Sequence, residues 1–261
     1  MEPRTFHTIR VELTESIATI TLNKPERKNP LGTDMVNELC YALDDCREAD
    51  DVRVIVLTGA GHAFSAGGDL QQMLGGGADD ALPHRGDYAE LLLRFPSLGK
   101  PTIARIPGVA MGGALGLIAS CDFAIACESA KLGTPEIKRG FFPMMIMAVL
   151  RRVVSRRRLM EMILLGESIS AREAERIELI SKAVPEDRLD LEVSALATKL
   201  SAQSPSAMRM GLAAFHAQAD QDLETALPFL RQELVKILGT NDAREGVMAF
   251  LEKRAPRWTG R

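Results

Sequence analysis

The chain contains 261 residues, of which 46% are hydrophobic and 26% charged, and it carries a formal net charge of −3. A chain of this size can bury a sizeable core in one large domain without help from disulfides or metals. The mildly acidic balance argues against nucleic acid and anionic membranes as partners.

Two further features bear on the cellular compartment. No apolar run is long enough to span a bilayer, and the N-terminus lacks the charged-then-apolar pattern of a signal peptide. The four cysteines form no C-x-x-C pair and stand in apolar segments, as core thiols in a reducing compartment do; they are Cys40, Cys46, Cys121 and Cys127. Together these features predict a cytoplasmic protein.

The first half of the chain alternates strand and helix patterns. Residues 8–13 and 17–22 predict a β-hairpin, and Thr33 and Asp34 can cap the helix that follows. Further predicted elements are a strand at 52–58, a helix at 88–95, a strand at 102–106, a helix at 114–121 and a strand at 122–127. Residues 75–87, with three consecutive glycines, predict a mobile surface loop. The alternation indicates an α/β core.

From Pro143 onward the periodicity is almost entirely helical. The predicted helices cover residues 155–165, 170–177, 186–202, 206–217, 223–238 and 242–253. We therefore divide the chain into a core domain, residues 1–200, and a C-terminal helical region, residues 201–261.

Two glycine-rich segments each follow a predicted strand. The first is AFSAGGDL at residues 63–70, and the second is GVAMGGA at residues 108–114, which opens a helix. Glycines let the backbone approach a ligand, and free N–H groups at a helix start suit a developing negative charge. Tight-turn geometry alone would also account for either segment taken in isolation.

A third segment, GTPE, places Glu136 in the first turn after Thr134 and Pro135. The apolar run FFPMMIM at residues 141–147 follows closely. Beside such a wall a carboxylate is desolvated and its pKa is raised, as a general acid/base requires. The local pattern also fits an ordinary helix-start carboxylate, and a buried helix would account for the methionines.

The order and spacing of these segments resemble the enoyl-CoA hydratase/isomerase (crotonase) family over nearly the whole chain. The resemblance runs from the hairpin through FSAGGDL, PGVAMGGALGLIASCDFAIA and GTPEIKRG to DAREGVMAFLEKRAP. It implies an α/β fold with a crotonase-like spiral of ββα turns and a C-terminal helical trimerisation region. It also implies a homotrimer or hexamer that acts on an acyl-CoA thioester.

The resemblance assigns roles to individual residues. Ala66 and Gly113 match the positions whose backbone N–H groups bind the thioester oxygen, and Glu136 matches a catalytic glutamate. The positions that match the CoA-binding residues are Ala66, Gly67, Gly68, Asp69, Leu70, Phe250 and Lys253, the last two often serving a neighbouring subunit. No metal or separate cofactor is expected, because coenzyme A belongs to the substrate and the histidines are scattered.

Two departures from the family pattern bear on the reaction. Gly116 stands where hydratases carry a second catalytic glutamate, and residues 144–147 replace a glycine-rich segment that helps to seat water. One carboxylate suffices to move a proton from one carbon to another. The favoured reaction is therefore isomerisation of a 3-enoyl-CoA to a 2-enoyl-CoA.

Other functions stay open at this point. The chain could be a hydratase with altered water activation, or catalyse another crotonase reaction such as decarboxylation or thioester hydrolysis. It could also be a non-catalytic acyl-CoA binder, or an RNA binder. The last is supported by one basic cluster alone, whose simpler interpretation is a solvated helix face; its members are Arg151, Arg152, Arg156, Arg157 and Arg158.

Overall fold

A computed structural model describes residues 4–73 and 82–261 of the chain. The strands in these ranges are β1 (Ile9–Thr14), β2 (Ile17–Leu22), β3 (Val54–Gly59), β4 (Ala63–Ser65), β5 (Thr102–Ile106), β6 (Val109–Met111), β7 (Phe123–Cys127), β8 (Lys131–Gly133), β9 (Ser168–Ser170) and β10 (Lys182–Val184). The α-helices are α1 (Thr33–Glu48), α2 (Leu70–Met73), α3 (Tyr88–Arg94), α4 (Gly113–Ser120), α5 (Met144–Leu150), α6 (Arg156–Leu165), α7 (Ala171–Arg176), α8 (Leu189–Ser201), α9 (Pro205–Gln218), α10 (Leu223–Leu238) and α11 (Asn241–Leu251).

Six strands form the larger sheet, in the spatial order β1-β2-β3-β5-β7-β10. The β1–β2 hairpin is antiparallel, and every later pairing is parallel. All six residues of β3 are buried, as its continuous β-branched run predicts for a central parallel strand. The hairpin and the three predicted strands of the core are confirmed to within two residues at each end.

Helix α1 is tied to the start of the larger sheet by one buried carboxylate. Glu38 is 4% exposed, and its oxygens accept hydrogen bonds from the backbone N–H groups of His7, Thr8 and Ile9 at 2.7, 2.8 and 3.2 Å. The Thr8 hydroxyl donates to the same carboxylate at 2.6 Å. The charge is therefore fully solvated by protein donors, which is the condition for burying it without a large penalty.

A second sheet of four strands, ordered β4-β6-β8-β9, is absent from the sequence-based prediction. Each of its strands has three residues, which is too short for a period-two pattern to emerge. β4, β6 and β8 run parallel, so their carboxyl ends lie at one edge of the sheet. β9 and β10 also show that the chain after Pro143 is not entirely helical.

The two sheets are connected by a repeated unit. β3 and β4, then β5 and β6, then β7 and β8 each place one strand in the larger sheet and the next in the smaller sheet. A helical segment follows each pair, with α4 after β6 as the clearest case. This arrangement confirms the predicted α/β spiral of ββα turns.

The predicted cap of α1 by Thr33 is wrong, and Thr134 holds an N-cap position without making a capping hydrogen bond. Thr33 lies inside α1, and its hydroxyl donates to Gln72 Oε1 at 3.1 Å. Thr134 precedes a short 3₁₀ helix, but its hydroxyl donates to the Met162 carbonyl at 2.9 Å. Both hydroxyls bond partners that are distant in sequence, which a local pattern cannot reveal.

The C-terminal helices leave much apolar surface uncovered. α9 packs on the 3₁₀ helix Phe95–Ser97, and α10 and α11 pack on α9. Ten large apolar side chains of these helices are exposed: Phe215, Leu223, Leu227, Leu234, Val235, Leu238, Val247, Met248, Phe250 and Leu251. The division of the chain at residue 200 stays a prediction.

The cysteines, the predicted loop at residues 75–87 and the helices can also be compared with the sequence-based expectations. The four cysteines are unpaired thiols, and Cys40, Cys46 and Cys127 are buried as predicted. Residues 75–81 of the predicted mobile loop lie outside the described residues, while 82–87 are held to α1 through Asn37 Nδ2, which donates to the Pro83 carbonyl at 3.1 Å. Among the described helices, none combines the length and apolarity needed to cross a membrane.

Candidate active site

Three loops converge where the parallel strands of the smaller sheet end. They begin at Ala66 after β4, at Gly112 after β6 and at Thr134 after β8. Together they border a cavity of about 290 Å³, which Tyr88 and the apolar segment 141–146 also line. A cavity at the carboxyl edge of parallel strands is a typical place for a ligand in α/β proteins.

Two glycines allow these loops to touch. Gly67 has a φ of +93°, and a Cβ on it would lie 2.7 Å from the Met111 carbonyl oxygen of the neighbouring loop. Gly112 has a φ of +54°, and a Cβ there would lie 2.8 Å from Glu136 Oε1. Both positions therefore require glycine for conformation and for space. The close approach brings the Glu136 carboxyl directly over the Gly112 turn.

The backbone donors at the cavity differ from the prediction in one place. The Ala66 N–H donates to the Lys28 carbonyl at 2.8 Å, so this N–H is not available to a ligand in the structure. The assignment of Ala66 as an oxyanion donor is therefore not supported, although Ala66 does line the cavity. Two residues further on, the Gly68 N–H has no acceptor within the described part of the chain, and Gly68 lines the same cavity.

Gly113 provides the second free donor. It is the first residue of α4, so its N–H has no acceptor within the helix, and no other described residue accepts from it. The partial positive charge of the helix start adds to the attraction for an anion. Gly68 and Gly113 thus line one cavity that also holds a carboxyl group, and the N–H group of each has no acceptor among the described residues.

Glu136 lies in the 3₁₀ helix Pro135–Arg139 and is half-buried. Its Oε2 atom is buried and has no hydrogen-bond partner among the described residues. Burial raises the pKa of Glu136, and a hydrogen bond from its own backbone N–H and the charge of Arg139 partly offset the rise. A carboxyl group with a raised pKa and an uncommitted oxygen is suited to proton transfer.

The remaining predicted site residues separate into two groups. Gly67 and Leu70 line the cavity, whereas Asp69 does not. Asp69 is buried beside the cavity and pairs with Arg27 Nη2 at 3.0 Å. Burial alone would raise the pKa of Asp69, but hydrogen bonds from Arg27 and the Gln71 backbone lower it. Asp69 therefore acts as a structural anchor for the loop.

Phe250 and Lys253 are not brought to the cavity by the fold of one chain. Neither residue lines it, and Phe250 is 82% exposed at the end of α11. Their predicted role in CoA binding would therefore require a second subunit.

Tyr88 is a cavity residue that the sequence-based prediction missed. It is the first residue of α3, and its hydroxyl donates a short hydrogen bond to the Gly113 carbonyl. A Cβ on Gly116 would collide with the Tyr88 hydroxyl and lie 2.7 Å from Ile146 Cγ2. The position that the resemblance gives to a second glutamate therefore has no room for a side chain unless Tyr88 and Ile146 shift.

The basic cluster lies away from this site. None of its five arginines lines the cavity. Arg152 pairs with Asp220 at 2.8 Å, and Arg158 pairs with Glu161 at the same distance. The solvated-face interpretation accounts for these contacts.

Comparisons with known proteins agree with the fold. Residues 12–261 match the family model described as enoyl-CoA hydratase/isomerase. A Mycobacterium bovis protein named "Probable enoyl-CoA hydratase echA8" is 37% identical over 258 residues, covering 98% of this chain and 100% of its own. A rat protein named "Enoyl-CoA hydratase domain-containing protein 3, mitochondrial" is 35% identical, covering 94% of this chain and 82% of its own.

Solved structures of enoyl-CoA hydratases also match the fold of this chain. The crystal structure of enoyl-CoA hydratase from Bacillus anthracis matches with a TM-score of 0.90 and 32% identity, covering 98% of this chain and 100% of that one. The cytoplasmic location stays a prediction, since the rat relative is named as mitochondrial. The match over nearly the full length, on the same fold, shows that this chain is an enzyme that belongs to the enoyl-CoA hydratase/isomerase family.

Proposed function

We propose that the protein isomerises a 3-enoyl-CoA to a 2-enoyl-CoA with Glu136 as its single proton carrier. The substrate thioester oxygen binds between the Gly68 and Gly113 N–H groups, and the acyl chain lies against the apolar segment 141–146. The strip from Ala66 to Leu70 borders the arm of coenzyme A. No metal and no separate cofactor take part in this proposal.

The chemistry needs one base and one oxyanion hole. The Glu136 carboxylate removes a proton from C2, and the electron pair moves into a dienolate whose charge rests on the thioester oxygen. One preorganised donor at such an oxygen is worth about 3 kcal/mol in comparable sites. The proton then returns from Glu136 to C4, which leaves the double bond between C2 and C3 and restores the carboxylate.

The observation that supports this reaction is the lone carboxyl group. Glu136 is the one acidic residue among the described residues that line the cavity, and Gly116 has no room for another. Hydration needs a group that activates water and a source of a proton for C2. A proton shuttle between two carbons needs no more than Glu136 offers.

Hydration is the second candidate, because both curated relatives described above carry the word hydratase in their names. In that case Glu136 would have to activate the water and also supply the proton. The two candidates share the oxyanion hole and differ in whether water adds at C3.

We further propose a trimer or hexamer. The exposed apolar side chains of α9, α10 and α11 support an assembly that covers them. Such an assembly would also allow Phe250 and Lys253 to reach the coenzyme A of a neighbouring subunit. Native mass spectrometry should show three or six copies, and a monomer at micromolar concentration would contradict the proposal.

A substrate panel tests the reaction. Purified protein is mixed with 2-enoyl-, 3-enoyl- and 3-hydroxyacyl-CoA thioesters of several chain lengths, and the products are followed by absorbance and mass spectrometry. We expect interconversion of the two enoyl isomers with little 3-hydroxyacyl product. Efficient hydration of 2-enoyl-CoA without isomerisation would replace the proposal with the hydratase candidate.

A further inference from the structure

Tyr88 occupies an unusual place beside the proposed proton carrier. Its hydroxyl donates to the carbonyl of Gly113, which lines the cavity and is the first residue of α4. The helix α3 that carries it begins with a capping box, in which Asp87 Oδ1 accepts from the Glu90 N–H at 3.0 Å. Tyr88 is therefore fixed at both its backbone and its hydroxyl group.

The space that the Tyr88 hydroxyl fills lies directly over Gly116. A single Cβ at Gly116 would collide with this oxygen and crowd Ile146. Gly116 is buried in α4, and the two residues that a Cβ on it would meet, Tyr88 and Ile146, both line the cavity. A carboxylate at Gly116, and a water molecule held by it, would need the volume that Tyr88 takes.

Tyr88 also stays a neutral phenol. Burial raises its pKa well above the ordinary range for tyrosine, and the negative charge of Glu136 raises it further. A neutral hydroxyl whose proton is already donated to a carbonyl cannot replace the missing carboxylate as a base. Its contribution must therefore come from its position and its volume.

We propose that Tyr88 determines the reaction outcome, by closing the space over Gly116 to water and by fixing the Gly113 end of α4. This inference rests on the proposed isomerase function and adds the residue that excludes hydration. Tyr88 acts through the position of Gly113 and through the volume it denies to water, so it is a positioning and specificity-determining residue. Glu136 remains the group that moves the proton.

The Tyr88→Phe variant tests this inference, and Tyr41→Phe is its matched control. Tyr41 is the other tyrosine of the chain, and its hydroxyl also donates to a backbone carbonyl, that of Pro83, at 3.1 Å. For Tyr88→Phe we expect the ratio of hydration to isomerisation to rise about fivefold, the scale set by one hydrogen bond. Isomerisation kcat should fall two- to tenfold, roughly, with KM nearly unchanged. Tyr41→Phe should change neither the ratio nor kcat.

A second measurement checks the contact without relying on activity. Gly116→Ala should lower the melting temperature when Tyr88 is present, and should lower it clearly less in the Tyr88→Phe background. Equal losses in both backgrounds would show that the hydroxyl does not occupy the space over Gly116, which overturns the inference. An unchanged reaction ratio in a folded Tyr88→Phe variant overturns it as well.

Failure of this inference is distinct from failure of the proposed function. If the unmodified protein mainly hydrates its substrate, the isomerase proposal is wrong. In that case a rise of the hydration ratio in Tyr88→Phe would still support the exclusion of water by Tyr88. If the unmodified protein isomerises and the ratio does not move, the role of Tyr88 alone is wrong.

Discussion

The two sheets of this protein have different roles, since the larger sheet supports the fold and the smaller sheet carries the candidate site. The larger sheet holds the long, buried strands, yet among the described residues none on its strands lines the cavity. The smaller sheet has strands of three residues, and the loops that leave β4, β6 and β8 supply the free N–H groups and the carboxyl group of the site. The larger sheet therefore supports the smaller one, whose strands are too short to be stable on their own and yet position the residues of the site.

Two glutamates, the buried Glu38 and the half-buried Glu136, show the same division at single residues. Glu38, which joins α1 to the larger sheet, has four protein donors around its carboxylate. Glu136, at the edge of the smaller sheet, has a buried oxygen with no partner in the described chain. One carboxylate is satisfied and serves the fold, while the other is left unsatisfied and is available for reaction.

The largest effect is expected for Glu136→Gln. Turnover should fall about a hundredfold or more, because the amide cannot accept the substrate proton. Binding of the CoA ester should stay nearly unchanged. Steady-state kinetics combined with calorimetric binding measures both quantities. Wild-type turnover in this variant would reduce Glu136 to an ordinary helix-start residue.

The same variant should not lose stability at neutral pH. Because the folded-state pKa of Glu136 is raised, its stabilising contribution is present below the unfolded pKa and is lost as the pH rises through the folded pKa. Near pH 7 the buried charge is therefore a cost, and the neutral amide removes it. The melting temperature of Glu136→Gln should equal or exceed that of the unmodified protein.

Gly112→Ala should have the next largest effect on activity. The new Cβ would press on Glu136 Oε1 at a residue whose φ of +54° already favours glycine. We expect a loss of kcat of about tenfold, consistent with displacement of a catalytic group by a fraction of an ångström. Gly260→Ala is the matched control, since it has a φ of +75° and its nearest contact, Pro205 Cβ, lies at 3.8 Å. Equal kinetic losses in both variants would argue against a specific contact with Glu136.

Glu38→Gln should produce the opposite result to Glu136→Gln. The amide end would face backbone donors with a donor of its own, so we expect the free energy of unfolding to drop by about 2 kcal/mol. The kcat per folded molecule should not change. Denaturant unfolding followed by kinetics on the folded fraction measures both, and a change in kcat without a change in stability would refute the division between the sheets.

The smallest effect concerns the pH profile. Proton removal requires ionised Glu136, so kcat/KM should fall toward low pH. Because the pKa of Glu136 is raised, this fall should begin at a higher pH than it would for an ordinary glutamate. The charge of Arg139 lowers the pKa of Glu136. Arg139→Gln should therefore move the acidic limb to higher pH, whereas Arg139→Lys should leave it nearly in place. A shift in the other direction would exclude Glu136 as the titrating base.

The strands of the larger sheet and some residues of the site can be predicted from the sequence. The β-branched run of Val54–Gly59 predicts its own strand, because burial on both faces imposes a continuous apolar pattern. Glu136 and Gly113 follow from motif order. The three-residue strands do not, and neither does the choice of Gly68 over Ala66, because Lys28 in a distant loop takes the Ala66 N–H. Tyr88 and Gly113 are 25 residues apart, and no local pattern records their contact.

The most direct test of the central claim is one turnover experiment with 3-enoyl-CoA in deuterated, oxygen-labelled water. If Glu136 is the single proton carrier and Tyr88 keeps water from the space over Gly116, the product is 2-enoyl-CoA that contains no labelled oxygen. Deuterium should enter it only to the extent that protonated Glu136 exchanges with solvent before the proton returns to C4. Failure to form 2-enoyl-CoA, or labelled oxygen at C3 of the product as soon as 2-enoyl-CoA appears, would contradict the account.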